Sequence, residues 1–284
     1  MTEQTETLLA GEYFLGVQGL AVLRACLTRP SSARGRVEEI RGILGRFGEF
    51  PNSLELPVTE YDVEAGYARW ARSYDGPNPA IEREEPIVRR ILGEIAPGDA
   101  LDAACGTGRH ALTLASLGHR VIGIDTTEEM LTVARTKVPG ADFRRGRLEA
   151  LPVEDESIDL LTCALAVEHV ELLGPVFGEF ARVLRPGGHV IVTDMHPAWK
   201  MLGGVAGFPT EDGSPGVPFV VGFTHQISDY VEAFLAAGFV MHACFEPRVD
   251  EESLKLFPSF RPYPQATRDA FLNMPLILIW HLTR

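Results

Sequence analysis

Residues 100–112 constrain the fold more than any other stretch, because they combine an apolar run, two closely spaced glycines and the start of a helical pattern. The apolar run up to Cys105 predicts a short buried strand. Gly106 and Gly108 lack a Cβ, so the backbone there can turn and approach a ligand closely. A helix that begins at Arg109 presents free N–H groups, which suit an anionic ligand. The stretch therefore predicts a strand, a turn and a helix that together bind a nucleotide-like molecule.

Strand and helix patterns alternate along the chain from residue 97 onward. Apolar runs bounded by glycine, proline or charged residues predict strands at residues 101–105, 120–125, 158–165, 189–194, 239–245 and 276–282. Residues 141–146 are predicted to form a polar edge strand, the third in chain order. Helical patterns occupy most of the segments between them. This alternation predicts an α/β fold with a Rossmann-like, mostly parallel sheet and helices on both faces.

Residues 1–60 differ in pattern and are predicted to form an N-terminal helical extension. Apolar residues recur at helical spacing before and after a proline break, and further prolines mark a linker near the end of the extension. The extension could cover the active site as a lid or pack on a second subunit. Residues 61–284 are predicted to form the main domain, and the glycine- and proline-rich residues 195–225 an active-site loop insertion.

The composition argues against several functional classes. The formal net charge is −13, whereas proteins that bind nucleic acid carry an excess of lysine and arginine. The sequence has no run of about 18 apolar residues, so no membrane span is expected. The cysteines are far apart, and the first residues lack the basic and then apolar pattern of a secretory signal. We therefore expect a cytoplasmic protein without a disulfide framework.

The glycine turn by itself fits two classes of ligand. Residues 106–111 match the G-x-G-x-x-G/A pattern of dinucleotide-binding proteins, and Asp125, at the end of the second predicted strand, can bind ribose hydroxyls in either class. Asp102 lies within the first predicted strand, where a carboxylate can meet a ligand's ammonium group. S-adenosylmethionine carries that ammonium group and no diphosphate, so Asp102 favours it over NAD.

Two further segments occur in a fixed order after the turn. Residues 146–152 follow the third predicted strand, and residues 183–188, Val-Leu-Arg-Pro-Gly-Gly, lead into the fifth. Together with Asp102, the glycine turn and Asp125, they resemble the class I S-adenosylmethionine-dependent methyltransferases, particularly small-molecule enzymes like those of ubiquinone and menaquinone biosynthesis. The resemblance is best over residues 61–200. It implies a seven-stranded sheet whose last strand is antiparallel to the others.

The resemblance also implies roles for individual residues around S-adenosylmethionine. The methionine part would be held by Tyr74, Asp102, Ala104, Cys105, Gly106, Gly108 and Ala164, and the nucleoside part by Asp125, Thr126, Met130 and Leu148. The sequence departs from the family pattern at two positions. Ala104 replaces the first glycine of the turn, and Arg147 replaces the usual acidic residue near the adenine. Either Arg147 stacks over the ring, or Glu149 takes the place of the missing acid.

An oxygen, nitrogen or acidic carbon acceptor can require a general base, for which His169 and His196 are favoured over His225 in the long loop. His169 follows the fourth predicted strand and His196 follows the fifth, at the sheet edge where a substrate is expected. The alternative for each is a structural role. Glu168 and Asp194 add residue types that bind metals. No helical spacing places two of these groups on one face, so we predict no metal site.

The favoured hypothesis is an S-adenosylmethionine-dependent methyltransferase that acts on a small, hydrophobic metabolite. Two alternatives stay open. One is an NAD-dependent oxidoreductase, and the other is a protein of the same fold that binds the cofactor for a non-methylating reaction such as cyclisation. The expected partners are a small-molecule substrate and, as a possibility, a second copy of the chain.

Overall fold

The computed structural model describes residues 4–284; residues 1–3, where the predicted extension and the segment examined for a secretory signal begin, lie outside the described residues. The elements in chain order are β1 (Gln4–Leu9), α1 (Ala10–Ala25), α2 (Pro30–Gly45), β2 (Glu55–Tyr61), α3 (Val63–Trp70), α4 (Pro79–Leu92), β3 (Asp99–Ala103), α5 (Arg109–Ser116), β4 (Arg120–Asp125), α6 (Glu128–Lys137), β5 (Asp142–Arg145), β6 (Ile158–Ala164), α7 (Leu173–Val183), β7 (Leu184–Met195), α8 (Pro197–Lys200), β8 (Ala206–Gly207), β9 (Val217–Val220), α9 (Ile227–Ala236), β10 (Val240–Phe245), α10 (Glu251–Leu254), α11 (Pro264–Phe271) and β11 (Ile277–Thr283). None of the helices in this described part is long and apolar enough to cross a membrane.

The chain divides into two compact units, of which the first comprises residues 4–61, 207–219 and 248–275. In this unit α1 packs on α2 and α11, and the rings of Phe14 and Tyr263 meet edge-on at 5.2 Å between centroids. A four-stranded sheet has the order β1-β2-β9-β8, with β1 antiparallel to β2. The sequence predicts only helices in the extension. The structure adds β1 and β2, where β-branched residues such as Thr7 and Val58 favour extended backbone.

The second unit comprises residues 62–206, 220–247 and 276–284 and contains a seven-stranded sheet of order β10-β11-β7-β6-β3-β4-β5. Neighbouring strands from β3 to β7 pair in parallel, and β11 is antiparallel to β7 and to β10. The prediction of a Rossmann-like, mostly parallel sheet flanked by helices is confirmed, as is the antiparallel last strand. The order in which successive strands are added to the sheet reverses between β3 and β6. In sheets of this type, ligands bind at the carboxyl ends of the strands beside that switch point.

From the sequence, Glu84-Glu85-Pro86 predicts a helix start with a proline in the first turn, but α4 already begins at Pro79. The side chain of Asn78 accepts a hydrogen bond from the Ala80 N–H at 2.9 Å, and Pro79 occupies the first helical position. Both residues are typical of a helix start, so the earlier signal is the one that the folded chain uses. Glu84 consequently lies inside the helix, where its side chain is fully buried.

Aromatic side chains from α7 and α9 form the centre of the core in the second unit. The Phe177 side chain is fully buried, and its ring meets those of Phe180 and Phe234 edge-on at 5.4 and 4.7 Å between centroids. Val192 of β7 belongs to the same apolar cluster. The cluster therefore holds this helix layer on the strands whose carboxyl ends carry the candidate site.

Replacing Phe177 with alanine is expected to lower the free energy of unfolding by about 3–5 kcal/mol, because the change leaves a cavity in a closely packed core. Urea denaturation followed by circular dichroism measures the loss. Leu235→Ala on α9 is the matched control, since that side chain is 71% exposed, and its effect should stay within about 0.5 kcal/mol. Equal losses in the two variants would contradict the packing described.

Candidate functional site

The turn between β3 and α5 passes through three residues with left-handed backbone. Ala104, Gly106 and Gly108 have φ angles of +57°, +52° and +82°. The Gly108 N–H closes the turn by donating to the Cys105 carbonyl at 2.8 Å. A left-handed conformation costs about 1–2 kcal/mol when the residue has a Cβ. Ala104 therefore carries strain that a glycine would not.

A pocket with about 850 Å³ of empty volume, including its mouth, lies beside this turn at the carboxyl ends of β3, β4 and β6. Most of the residues that were predicted to bind the cofactor line this pocket. Those in the wall are Tyr74, Ala104, Gly106, Asp125, Thr126, Met130, Arg147, Leu148 and Ala164, together with the candidate base His169. The structure thus brings together residues that are spread over positions 74–169 of the sequence.

Asp125 ends β4 and places its carboxylate in the pocket wall. One oxygen accepts a hydrogen bond from the Gly106 N–H at 2.8 Å, and the other accepts one from the Thr127 N–H at 2.9 Å. Burial raises the pKa of this carboxyl group, and the two amide donors oppose that effect. Each carboxylate oxygen keeps a further lone pair. The arrangement can accept hydrogen bonds from two adjacent hydroxyls of a ligand.

Asp102 lies behind the turn and outside the pocket wall. Its buried carboxylate accepts hydrogen bonds from the Ala111 N–H at 2.8 Å and from the Thr162 hydroxyl at 2.9 Å. Burial raises the pKa of Asp102. The bond to Ala111 satisfies one of the free N–H groups in the first turn of α5. Asp102 therefore orders the helix start, and its contact with a ligand's ammonium group stays a prediction.

Cys105 and Gly108 also contribute to the turn without lining the pocket. The Cys105 side chain is buried, and burial raises the pKa of its thiol well above the ordinary value. A Cβ added to Gly108 would lie 3.1 Å from the Cβ of Ala134. Gly108 therefore permits α5 and α6 to approach each other closely. Any part of either residue in binding a cofactor would come through the backbone.

Arg147 lies in the wall with its side chain 70% exposed, and its guanidinium is 3.2 Å from the Glu149 carboxylate. Met130 and Leu148 line the same pocket and are buried. Glu149 lines the same pocket as Arg147. Arg147 and Glu149 each have access to the region of the pocket that the apolar side chains border.

His169 lines the pocket, and two hydrogen bonds fix its ring. Nδ1 lies 2.6 Å from the Val221 carbonyl oxygen, and Nε2 lies 2.8 Å from the Tyr67 hydroxyl. A carbonyl only accepts, so Nδ1 carries the proton and Nε2 accepts from Tyr67. Burial lowers the pKa of His169 and raises the pKa of Tyr67 well above its ordinary value. The pair therefore presents a neutral imidazole and a neutral phenol.

The structure places His196 outside the pocket wall. Its Nδ1 accepts a hydrogen bond from the Ala198 N–H at 3.1 Å, and its Nε2 lies 2.9 Å from a Glu246 carboxylate oxygen. The ring thus caps α8 and pairs with an acid. Of the two candidate bases, His169 is the one that faces the pocket.

The acidic residues near these histidines are already paired. Glu168 and Lys200 form an ion pair at 2.7 Å, with their side chains 5% and 7% exposed. Asp194 accepts a hydrogen bond from the Tyr230 hydroxyl, and burial together with Glu168 raises the pKa of Asp194 well above its ordinary value. Among residues 4–284, no group of three histidine, cysteine or acidic side chains has the arrangement of a metal site.

Two residues in or near the site, Leu165 and Glu84, received no role from the sequence, and Tyr67 received only a place in an aromatic stripe that could line the substrate pocket. Tyr67 recurs with Trp70 and Tyr74 at helical spacing, a pattern that indicates core packing equally well. Leu165 lines the pocket with a φ of +52°, a conformation that is rare for leucine and that the sequence therefore does not predict. Glu84 reads as one of several acids in a charged helix. Its burial becomes visible only in the folded chain.

Replacing Gly108 with alanine is expected to lower the free energy of unfolding by about 1–2 kcal/mol, because a Cβ is strained at that φ angle. Ala104→Gly is the matched reverse change. It removes such strain and is expected to be neutral or stabilising by up to about 1 kcal/mol, after the entropy cost of a glycine. Urea denaturation measures both variants. A clear loss in Ala104→Gly would contradict the left-handed turn.

Comparisons with known proteins agree with this geometry. Residues 101–192 match the family model described as a methyltransferase domain. The chain is 34% identical over 158 residues to a malonyl-[acyl-carrier protein] O-methyltransferase of Yersinia pestis, a match that covers 52% of the chain and 59% of the relative. It is 39% identical over 119 residues to a demethylmenaquinone methyltransferase of Chlorobaculum parvum, which covers 40% and 49%. The chain thus spans about half to three fifths of these relatives.

A solved structure shows the same fold. The crystal structure of an S-adenosylmethionine-dependent methyltransferase from Mesorhizobium loti superposes with a TM-score of 0.56 at 22% identity, over 71% of this chain and 98% of that one. Residues 101–192, which match the family model, contain the glycine turn, Asp125 and strands that border the pocket. Residues 101–192 are therefore similar to a methyltransferase domain, on a fold that the chain shares with an S-adenosylmethionine-dependent methyltransferase.

Proposed function

We propose that the protein is an S-adenosylmethionine-dependent methyltransferase that moves a methyl group to a small, hydrophobic metabolite. The observation that carries the proposal is the Asp125 carboxylate, which the Gly106 and Thr127 amides hold in the pocket wall with free lone pairs for two hydroxyls. A ribose presents such a pair of hydroxyls. This position at the end of the second parallel strand suits a nucleoside in folds of this type.

The rest of the pocket fits the same cofactor. Met130 and Leu148 offer buried apolar surface for the adenine, and Ala104, Gly106 and Ala164 offer small side chains where the methionine part would lie. Gly146 must also stay small, because an added Cβ would lie 2.7 Å from the Pro152 ring. When bound, S-adenosylmethionine would supply an activated methyl group on its sulfonium. The protein then has to bind, orient the acceptor and exclude water.

Tyr67 and His169 support an acceptor that must lose a proton. The Val221 carbonyl holds His169 with Nδ1 protonated, which leaves Nε2 as the basic atom, hydrogen-bonded to the hydroxyl of Tyr67 in the same pocket wall. In the proposed role, the Tyr67 hydroxyl takes the acceptor's proton as it passes its own proton to Nε2. This role favours an ionisable hydroxyl, amine or acidic carbon as the acceptor. The O-methyltransferase name of one relative supports an oxygen acceptor.

The wider setting of the enzyme is proposed on the same grounds. A net charge of −13 favours a small-molecule substrate over nucleic acid. Free cysteines in the described part of the chain suit the reducing cytoplasm that we propose as its location. A homodimer, and a lid or subunit contact formed by residues 1–60, remain proposals that size measurement and truncation can test.

Replacing Asp125 with asparagine is expected to weaken binding of S-adenosylhomocysteine by about 10- to 100-fold. The reason is that a hydrogen bond to a charged acceptor contributes about 1.5–3 kcal/mol. Isothermal titration calorimetry of the purified protein measures the dissociation constant. Glu128→Gln is the matched control, since Glu128 is an exposed acid close in sequence that pairs with Arg135 outside the pocket. Its dissociation constant should stay within about twofold of wild type.

The same titration separates the alternative functions. Binding of NADH without binding of S-adenosylhomocysteine would favour the oxidoreductase and overturn the proposal. Cofactor binding without release of S-adenosylhomocysteine from S-adenosylmethionine, across extracted cell metabolites, would favour a non-methylating protein of the same fold.

Replacing His169 with glutamine is expected to lower kcat by about 10²- to 10⁴-fold with an identified acceptor, because a positioned base contributes that much. His196→Gln is the matched comparison and should have the smaller effect, because His196 lies outside the wall. In wild type, kcat should fall as the pH drops through a pKa below 6.5, since burial lowers that of His169. A greater loss in His196→Gln would reject this assignment of the base.

A further inference from the structure

Glu84 is a fully buried carboxylate that contacts two other elements, α5 and β7, from the middle of α4. Its Oε2 lies 2.6 Å from the Arg109 guanidinium, and its Oε1 lies 3.0 Å from His110 Nε2. Oε1 also accepts a hydrogen bond from the Thr193 hydroxyl at 2.9 Å. Arg109 and His110 are the first two residues of α5, directly after the glycine turn. One carboxylate thus joins α4, the helix after the turn, and β7.

The charge of Glu84 is retained in spite of its burial. Burial alone would raise the pKa of Glu84, but His110 and Arg109 outweigh it and lower that pKa to about 2. Arg109 in turn has a raised pKa, because Glu84 outweighs its own burial. A buried charge persists only when it is paired and hydrogen-bonded. Removing the negative charge of Glu84 would therefore leave Arg109 as an uncompensated buried cation.

Thr193 extends this network to the pocket wall. Its hydroxyl donates to Glu84, and its hydroxyl oxygen accepts the Leu165 N–H at 3.2 Å. The Thr193 carbonyl accepts the same N–H at 2.9 Å. Leu165 lines the pocket between Ala164 and Ala166 with a φ of +52°. Such a conformation is strained for leucine and persists only when the surroundings hold it in place.

We propose that Glu84 is a positioning residue for the cofactor pocket, and this inference rests on the function proposed above. Through Arg109 and His110 it fixes the first turn of α5 behind the glycine turn. Through Thr193 it holds the strained backbone at Leu165, and so the wall from Ala164 to Ala166. Glu84 does not line the pocket itself, so its effect on binding is indirect.

Glu84→Gln tests the proposal, because glutamine keeps the size and an accepting oxygen but removes the charge. Calorimetry with S-adenosylhomocysteine on the folded variant should show affinity about tenfold weaker than wild type. Glu85→Gln is the matched control on the same helix, where Glu85 forms an exposed pair with Arg89. Its affinity should stay within about twofold of wild type. Glu84→Asp restores the charge and should recover part of the affinity.

Thr193→Val and Leu165→Gly test the link to the wall, and they decide the matter if Glu84→Gln fails to fold. Valine keeps the shape of Thr193 without the hydroxyl and should weaken binding several-fold. Glycine adopts the left-handed conformation without strain. Thr193→Val should therefore weaken binding less in the Leu165→Gly background than in wild type. A merely structural role would lower the thermal midpoints but would not produce this rescue of affinity.

The outcomes separate the two proposals. Unchanged affinity in folded Glu84→Gln, or equal effects of Thr193→Val in both backgrounds, overturns the positioning role. Failure of the wild-type protein to bind S-adenosylhomocysteine overturns the cofactor assignment instead.

Discussion

The left-handed backbone between β3 and α5 is the constraint on which the site depends. At Gly106 and Gly108 the chain turns within a few residues, so the Gly106 N–H reaches the Asp125 carboxylate. That bond places the Asp125 carboxylate, a hydrogen-bond acceptor, at the end of β4 and beside the turn that leads into α5. Ala104 shows that the constraint is stronger than side-chain preference, because it adopts the same left-handed region with a Cβ.

Buried carboxylates hold the elements around this turn in place. Asp102 ties β3 to the start of α5 through the Ala111 N–H, and Glu84 ties the same helix start to α4 and β7. A carboxylate in such a position is favourable only because donors surround it, and each lost donor leaves a charge that water cannot reach. Neither carboxylate lines the pocket, and both join elements that form or adjoin its wall.

Most of the sheet could be predicted from the sequence, since apolar runs and turn residues are local signals. Residues 120–125 were predicted as a strand, and β4 has those bounds. The strand before the turn was predicted to reach Cys105 but ends at Ala103, because Ala104 leaves the extended region. Among the site residues, Asp125 and His169 lie in the wall. His196 does not, because the chain turns into α8 directly after β7 and the ring caps that helix.

The sequence by itself determined the alternation of strands and helices, the glycine turn and the identity of the acid that ends the second parallel strand. These features follow from backbone freedom and hydrophobic spacing, which act over a few residues. Only the tertiary structure decided which polar groups meet. Glu84 and Thr193 are 109 residues apart, and Tyr67 and His169 are 102 apart. Such pairs form because packing brings their elements together and burial then requires each polar group to find a partner.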